Sequence, residues 1–526
     1  MRNKLFVLGS VLIAGIALFW SRYWSVPLPR EPFIIGKNNT VLFIVDDHHG
    51  LSNVHVATAH ALLERHPHIK VHFASFAPLA PKLQRVSAHK SAGASDLVFH
   101  QIDGPSLGDA VELTMGRKIT IADFIHPPGI RGIAKMCGDM QMYVSGWPAE
   151  EHLKIYHQLN DIMDAVDPAV VVLDSIFRPA TDATRGQNRL HAIITPNTLV
   201  DNFIGDQPYG KMFWKYPAMG SGIPYPVPWS RIPENIYLNI RFIYSILRMP
   251  AMREKEAYLR ANGIKNPTNF LKLHDTQVPW ITQTLAEAAR PVDFVPANVT
   301  CTGPITLRLA TAEEQDPELV TWLSRAPTVL INLGSAFRYG REFALAMSGA
   351  IAQVLEATDV QILWKFRGMV EEESDIDVAY GGEIKALIQP LIDSGRLRVE
   401  SWLAADPTAL LESGHIIASV HHGGAGCYHE AVATGVPAMV LPGWVDLYNF
   451  AQLAEDLGIG VWGCPETSPH WNADCLSKGL LRLVDGGKES LAIQAEAKRI
   501  GEIAQKNPGR YVAASMIAEL AGSGKE

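Results

Sequence analysis

Ser419-Val-His-His-Gly-Gly-Ala-Gly-Cys-Tyr-His-Glu-Ala-Val-Ala-Thr-Gly-Val-Pro-Ala-Met-Val-Leu-Pro-Gly-Trp-Val-Asp446 reads as a strand, a glycine turn, a helix and a second strand in close succession. An apolar run ends at His421-His422, Gly423, Gly424 and Gly426 follow at once, and a helix begins near Cys427. Glycine lets the backbone approach a ligand closely, and the free N–H groups of a helix start favour an anion there. A glycine-rich turn alone would carry little, since many merely reverse the chain. Here it comes with His422 before it, Glu430 in the helix, and Gly435-Val-Pro437 and Pro442…Asp446 beyond.

The same pattern extends outward in both directions. Thr328-Val-Leu-Ile-Asn-Leu333 runs into Gly334-Ser335, and Val360 to Phe366, Leu397 to Trp402, Ile416 to His421 and Ala438 to Pro442 are further strands. In the first half, Thr40-Val-Leu-Phe-Ile-Val45 ends at Asp46, and Val56 to Arg65 reads as a helix. Val71 to Phe76, Ala169 to Leu173 (closed by Asp174) and Leu190 to Ile194 complete that set. Short apolar strands alternating with helices give a parallel α/β sheet. Two such sheets in tandem predict two facing Rossmann-like domains, with ligands in the cleft at the strands' carboxyl ends.

The expected boundaries are an anchor at 1–24, a stiff linker at 25–36, a first domain at 37–308, a linker at 309–326, a second domain at 327–490 and carboxyl-terminal helices at 491–526. Residues 202–252 break the pattern, with Met212-Phe-Trp-Lys-Tyr-Pro217 and Ile223-Pro-Tyr-Pro-Val-Pro-Trp229. Prolines at that density prevent a regular helix or central strand. The segment reads equally as a structural cap or as an apolar acceptor pocket or bilayer-facing surface.

Composition suits a well-cored protein of two or three domains: 526 residues, 47% hydrophobic and 19% charged. A net charge of −8 argues against a nucleic-acid partner, which needs a basic face. The five cysteines stand at wide spacings without a C-x-x-C pair, so neither a zinc site nor a disulfide framework is expected. Arg2 and Lys4 precede an uncharged apolar run from Leu5 to Trp20. Its length lies between a signal peptide and a spanning helix. No small-x-small cleavage site follows, and Ser21-Arg-Tyr-Trp24 suits a membrane interface, so the run is expected to be a transmembrane anchor rather than a cleaved signal. The flanking charges lead to the expectation that the amino terminus lies in the cytosol and the globular body in the lumen, the endoplasmic reticulum being the expected compartment.

From His422 through Asp446 the chain resembles the donor signature of the UDP-glycosyltransferases: His-Gly-Gly, a Glu, then Gly-Val-Pro and Pro-x-x-x-Asp. Looser similarity runs from Thr40 to about Gly463, most like fungal members with an amino-terminal anchor. The resemblance implies the GT-B fold and a UDP-sugar co-substrate, with no metal or other cofactor. It implies that His422 and the backbone from Gly424 through Gly426 to Cys427 hold the diphosphate, and that Ser335 touches the β-phosphate. Glu430 would hold the ribose, Trp402 would stack on uracil, and Asp446 would bind sugar hydroxyls. Three departures stand out: Ala404-Ala405 replace Pro-Gln after Trp402, Cys427 replaces Ser or Gly, and Leu447 replaces the Gln that follows Asp446.

On the acceptor side, Asp46-Asp47-His48-His49-Gly50 follows the first strand, where the family places its catalytic histidine. His49 is the candidate base and Asp174 the carboxylate that orients it, with His48 and His55 as alternatives. Alternation along the strand end turns His48 and His49 apart, so that only one faces the cleft. Asp46 to His49 also reads as a metal-ligand cluster, and Asp375-Ile-Asp377 as the Asp-x-Asp of metal-dependent transferases. Neither is favoured, because adjacent strand-end residues rarely converge on an ion and the second lies in an acidic, solvated run. The implied reaction is an inverting transfer to a hydroxyl of a small apolar acceptor, a fungal secondary metabolite being the class it suggests. A sterol or lipid glycosyltransferase and a catalytically silent nucleotide-sugar-binding relative are the rivals.

Overall fold

Six strand segments of the first half, β1 (Lys37–Ile44), β2 (Lys70–Ser75), β3 (Val98–Gln101), β4 (Pro168–Leu173), β5 (His191–Thr195) and β6 (Trp280–Thr282), join β7 (Val299–Cys301) in one parallel sheet. Its order is β3-β2-β1-β4-β5-β6-β7. The second half forms β8 (Thr328–Ile331), β9 (Gln361–Lys365), β10 (Leu397–Glu400), β11 (Ile416–His421), β12 (Ala438–Val440) and β13 (Gly460–Trp462). That sheet is ordered β10-β9-β8-β11-β12-β13. These are features of a computed structural model that describes residues 31–268, 274–368 and 382–525. The expected anchor at 1–24 and Asp375-Ile-Asp377 lie outside the described residues. Among those described, no helix is long and apolar enough to cross a membrane.

Both sheets are all-parallel, with helices on both faces, which is why β4 (Pro-Ala-Val-Val-Val-Leu) is buried at every position. The strand order reverses between β1 and β4 in the first lobe and between β8 and β11 in the second. A crevice opens at the carboxyl end of the sheet at such a switch point. The helices that position the site are α1 (His49–Arg65), α2 (Ala80–Ala88), α3 (Ile133–Ser145), α4 (Ile232–Leu247), α5 (Ala425–Thr434), α6 (Leu447–Asp456), α7 (Lys488–Lys506) and α8 (Gly509–Ala521).

The first core packs Val41, Phe43, Val71, Phe73, Val170 and Val172 under α1, and Ala513, Ala514 and Ile517 of α8 belong to it. The chain's last helix therefore returns to the first lobe. The second core packs Val329, Ile331, Ile362, Trp364 and Val420. Trp364 is fully buried, and its indole N–H donates to the Tyr339 hydroxyl at 3.0 Å, as a buried indole requires.

Four expectations are corrected. Residues 202–252 do contain regular structure: α4 runs for 16 residues, because Pro233 sits in its first turn, where a missing N–H costs nothing. The span 309–326 is not a plain linker. It holds two short helices, Ala312–Gln315 and Pro317–Leu323, whose N-termini are capped by the Thr311 and Asp316 side chains. Cys464 and Cys475, eleven residues apart, form a disulfide that no spacing rule had suggested. The strand end also stops short of the histidines: β1 finishes at Ile44, and His49 is the first residue of α1.

Candidate active site

The second lobe's switch point is built around the imidazole of His422. A Cβ added to Gly334 would lie 2.9 Å from its Cε1, and one added to Gly424 would lie 2.5 Å from its Nε2. Both positions must therefore be glycine for the ring to sit where it does. Gly334 needs glycine a second time, since its φ is +90°. The ring stacks on Trp444 with centroids 5.7 Å apart, and its buried Nδ1 has no partner among the described residues. Burial, aided by His48 and Lys365, holds the His422 pKa at about 4, so at neutral pH the ring is uncharged and carries one N–H to donate.

Immediately after it, α5 starts with Gly424 at its N-cap and no side-chain hydrogen bond capping it. Its first N–H groups are thus left for a ligand. Gly426 and Cys427 lie in that first turn, half-buried. Burial and the neighbouring Glu430 push the Cys427 thiol up, so it stays protonated and inert. Burial pushes Glu430 itself up to about 7, against the pull of Lys82 in α2 and a hydrogen bond from Thr408.

Cations gather at the ends of β8 and β9. Lys365 donates to the Gly334 carbonyl at 3.2 Å and lies 4.0 Å from the ring centre of Trp402. Arg367 lies 5.3 Å from the same ring. Arg338 and Arg367 both donate to the Ser335 carbonyl, at 3.0 and 2.9 Å. Trp402 is 53% exposed, unlike a core tryptophan, and presents a face to solvent. Burial lowers Lys365 to about 8. Sequence reasoning missed Lys365, although a lysine near the end of the recognised strand Val360 to Phe366 was a usable signal.

Asp446 precedes α6 without capping it, and burial and Asp201 push its carboxyl up to about 7. Leu447 is 3% exposed and packs beneath Gly423, so it faces the core and not the cleft. Ala405 is likewise buried in a core cluster.

The first lobe differs from expectation. Asp174 Oδ1 accepts from the N–H groups of Ile176 and Phe177 at 2.7 and 2.6 Å, and Oδ2 from that of Asp46 at 3.1 Å. Its oxygens are engaged by backbone, and the imidazole it acts on is that of His55, buried with Nδ1 3.0 Å from the Leu51 carbonyl. Among the described residues no hydrogen bond joins His49 to Asp174. The expected pairing fails because the chain turns after Asp46, putting His49 on a helix start and not on the strand. For the same reason alternation does not separate His48 from His49. Both are exposed at the cleft and both feel second-lobe groups across it: His48 adds to the lowering of His422, and burial, then Lys82, His48 and Lys365, lowers His49 to about 4.

Asp46 is fully buried and ties this corner together. Its Oδ1 accepts from His48 N–H at 3.0 Å and its Oδ2 from Leu107 N–H at 2.9 Å, while burial, then Asp47 and Asp174, push it up to about 8. Asp46 to His49 do not converge: among the described residues no group of three or more His, Cys, Asp or Glu could hold a metal ion. Arg85 of α2 pairs with Asp406 across the lobes at 2.8 Å.

A glycosyltransferase of Sordaria araneosa, sdnJ, is 34% identical over 512 residues, covering 92% of this chain and 98% of that one. UDP-glycosyltransferase 708G2 of Citrus unshiu is 26% identical over 55% of this chain and 58% of its own length. A sterol 3-beta-glucosyltransferase of Candida albicans matches 37% of the chain but only 12% of its own length. No family model matches. Among solved structures, a UDP-glucosyltransferase from Polygonum tinctorium superimposes with a TM-score of 0.59 at 16% identity, over 95% of this chain and all of that one. A UDP-glucose:anthocyanidin 3-O-glucosyltransferase superimposes with a TM-score of 0.56 at 15% identity, over 93% of this chain and all of that one. At such identity these two establish the fold.

A carboxyl pushed up to about 7 in the helix that follows His422 has a measurable consequence if it holds the donor's ribose, as the resemblance implies. Glu430 gains its charge, and becomes the stronger acceptor for a hydroxyl, as pH rises through that value. The KM for a UDP-sugar should therefore fall between pH 6 and pH 8, and the Glu430→Gln variant should show a flattened profile. An unchanged profile in that variant would remove Glu430 from the donor site.

Proposed function

Because the chain belongs to the UDP-glycosyltransferase family, we propose that it moves a sugar from a UDP-sugar to a hydroxyl of a small apolar acceptor, inverting the anomeric carbon. One observation carries this reading: His422, the open start of α5 and Lys365 converge on one wall of the cleft, and His48 and His49 stand on the other.

In the reaction a neutral imidazole of the first lobe takes the acceptor's O–H proton as that oxygen attacks the anomeric carbon. The bond from the anomeric carbon to the diphosphate oxygen breaks, and its electron pair leaves with UDP. Negative charge grows on the leaving oxygen, where the His422 N–H, the helix-start N–H groups and the Lys365 ammonium lie ready. Ser335 reaches the β-phosphate, Trp402 stacks on uracil, Glu430 takes the ribose and Asp446 the sugar. His49 remains our base and Asp174 its support, now acting at one remove: Asp174 holds the Asp46 N–H, and Asp46 holds the His48 N–H at the start of the same turn.

Support for an apolar acceptor comes from the half-buried side chains Met140, Phe242 and Trp444, which pack over a buried apolar cluster containing Ile133, Met136, Leu238 and Val445. A secondary metabolite suits such a surface. A silent, sugar-binding relative is the less favoured reading, since the cleft keeps histidines on both sides.

We also read Leu5 to Trp20 as a signal anchor in the endoplasmic reticulum, with both lobes lumenal. The Cys464–Cys475 disulfide suits an oxidising compartment. The exposed face of α4 suits a nearby bilayer: Tyr237, Ile240, Tyr244 and Leu247 are 41–53% exposed along it, with Arg241 and Arg248 in the same helix turns or just beyond.

Two experiments test these readings. Purified protein offered several UDP-sugars against phenols, terpenoids and sterols should release UDP only with an apolar hydroxyl acceptor. His49→Ala should lower the chemical step by about 10² or more, the size expected of a positioned base. No UDP release with any pair would favour the silent relative, and loss in His48→Ala alone would move the base by one residue. The full chain should stay in the membrane fraction after carbonate extraction, and a variant lacking residues 1–30 should not. A mature protein beginning near Ser25 would overturn the anchor.

A further inference from the structure

The sugar-facing loop of the second lobe is held by a first-lobe residue that no motif marks. His126 lies in Ile125-His126-Pro127-Pro128 and is 1% exposed. Its main-chain N–H donates to the Gly443 carbonyl at 3.0 Å, and its carbonyl accepts from the Tyr448 hydroxyl. Its ring spans the remaining gap. Nδ1 lies 2.9 Å from the Pro127 carbonyl and must carry the proton to bond there, which leaves Nε2 as an acceptor for the Val445 N–H at 3.0 Å. Three bonds from one residue thus grip residues 443–448 of the other lobe.

What they grip is an uncommon piece of backbone. Val445 has φ of +36°, a left-handed conformation that a β-branched residue rarely adopts. The first lobe also meets it from a second direction: Gly220, itself tied by its carbonyl to the Gly129 N–H at 2.9 Å, lies beside Val445, whose carbonyl would stand 3.5 Å from a Cβ added to Gly220. The next residue is Asp446. Its side chain does not cap the helix it precedes, and it sits within electrostatic reach of Asp201 and Tyr143, both of the first lobe.

We propose that His126 is a positioning residue: by accepting the Val445 N–H it fixes the turn that aims the Asp446 carboxylate at the donor sugar, so that sugar recognition requires the two lobes to be docked. The His422 and α5 end of the donor site meets that loop only through the Trp444 ring stacked on His422, while Gly334, Gly424 and the start of α5 lie outside it. Losing the His126 acceptor should therefore weaken recognition of the sugar far more than that of UDP. This rests on the reading of Asp446 as the sugar's ligand.

The test compares UDP-glucose with UDP in the full chain. His126→Phe keeps the ring volume, the Tyr448 packing (ring centroids 5.8 Å apart) and the main-chain bonds, but has no acceptor. It should lower kcat/KM for UDP-glucose by about 10–100-fold, the size of a small misplacement in a site, while the calorimetric Kd for UDP changes less than about twofold. His126→Gln, whose amide oxygen can reach the Val445 N–H, should recover most of the loss. If His126→Phe does not fold, as judged by its melting transition, His126→Asn, too short to reach, serves in its place against the Gln variant.

Asp446→Asn separates the two layers. If Asp446→Asn is impaired with UDP-glucose and His126→Phe is not, the inference is wrong and the sugar ligand stands. If Asp446→Asn behaves as wild type, the sugar-ligand reading falls and takes the inference with it. Equal losses of UDP-glucose and UDP in His126→Phe would also overturn the proposal, since a merely structural role predicts them.

Discussion

Everything at the donor end turns on one steric fact: the His422 imidazole occupies the space between Gly334 and Gly424 that any side chain at either position would need. Gly334 lies just after β8 and Gly424 opens α5 after β11, so the contact joins the two strand ends flanking the switch point and sets the distance between them. A neutral N–H donor, an uncapped helix start and the Lys365 ammonium then lie around one volume with no reorganisation needed. Preorganised dipoles and charge in a half-buried place are worth far more than the same groups in water. The acidic net charge of the chain makes the local gathering of Lys365, Arg338 and Arg367 the more telling.

The acceptor end is organised differently, by buried carboxyls that hold backbone. Asp174 bonds its own turn and the Asp46 N–H, and Asp46 bonds the N–H groups of His48 and Leu107. The histidines at the cleft are therefore aimed by where the main chain is pinned, not by a carboxylate against the ring. Across the lobes, Arg85 with Asp406 and His126 with the 443–448 loop join the two halves on either side of the cleft. The lobes fold around separate cores, but the 443–448 loop is held by both.

Much of this was legible in the chain. The strands that carry the site are continuous apolar runs ending in glycine or a charged residue, a local pattern that survives any tertiary context, and β11 begins and ends where its sequence says. The three-residue strands β6, β7 and β13 are too short to show a period, and β3, Val-Phe-His-Gln, is half polar. Pro233 hid α4 because a proline in a first turn looks the same in sequence as one that breaks a helix. The glycine turn and helix start around His422 were readable because they sit side by side in the chain. The His49–Asp174 pairing was not, since it depended on whether the backbone stayed extended for five residues past Ile44. His126 and the Cys464–Cys475 pair carry no local signature, because each is defined by what the fold brings to it.

The central claim is a division of labour, with UDP held by the second lobe and the acceptor activated by the first. Calorimetric titration of UDP into the wild type, His422→Ala and Asp174→Asn tests it most directly. The account predicts at least about a tenfold weaker Kd in His422→Ala, as one lost charge-assisted bond would give, and a Kd within about twofold of wild type in Asp174→Asn. Unweakened binding in His422→Ala, or a comparable loss in Asp174→Asn, would contradict it.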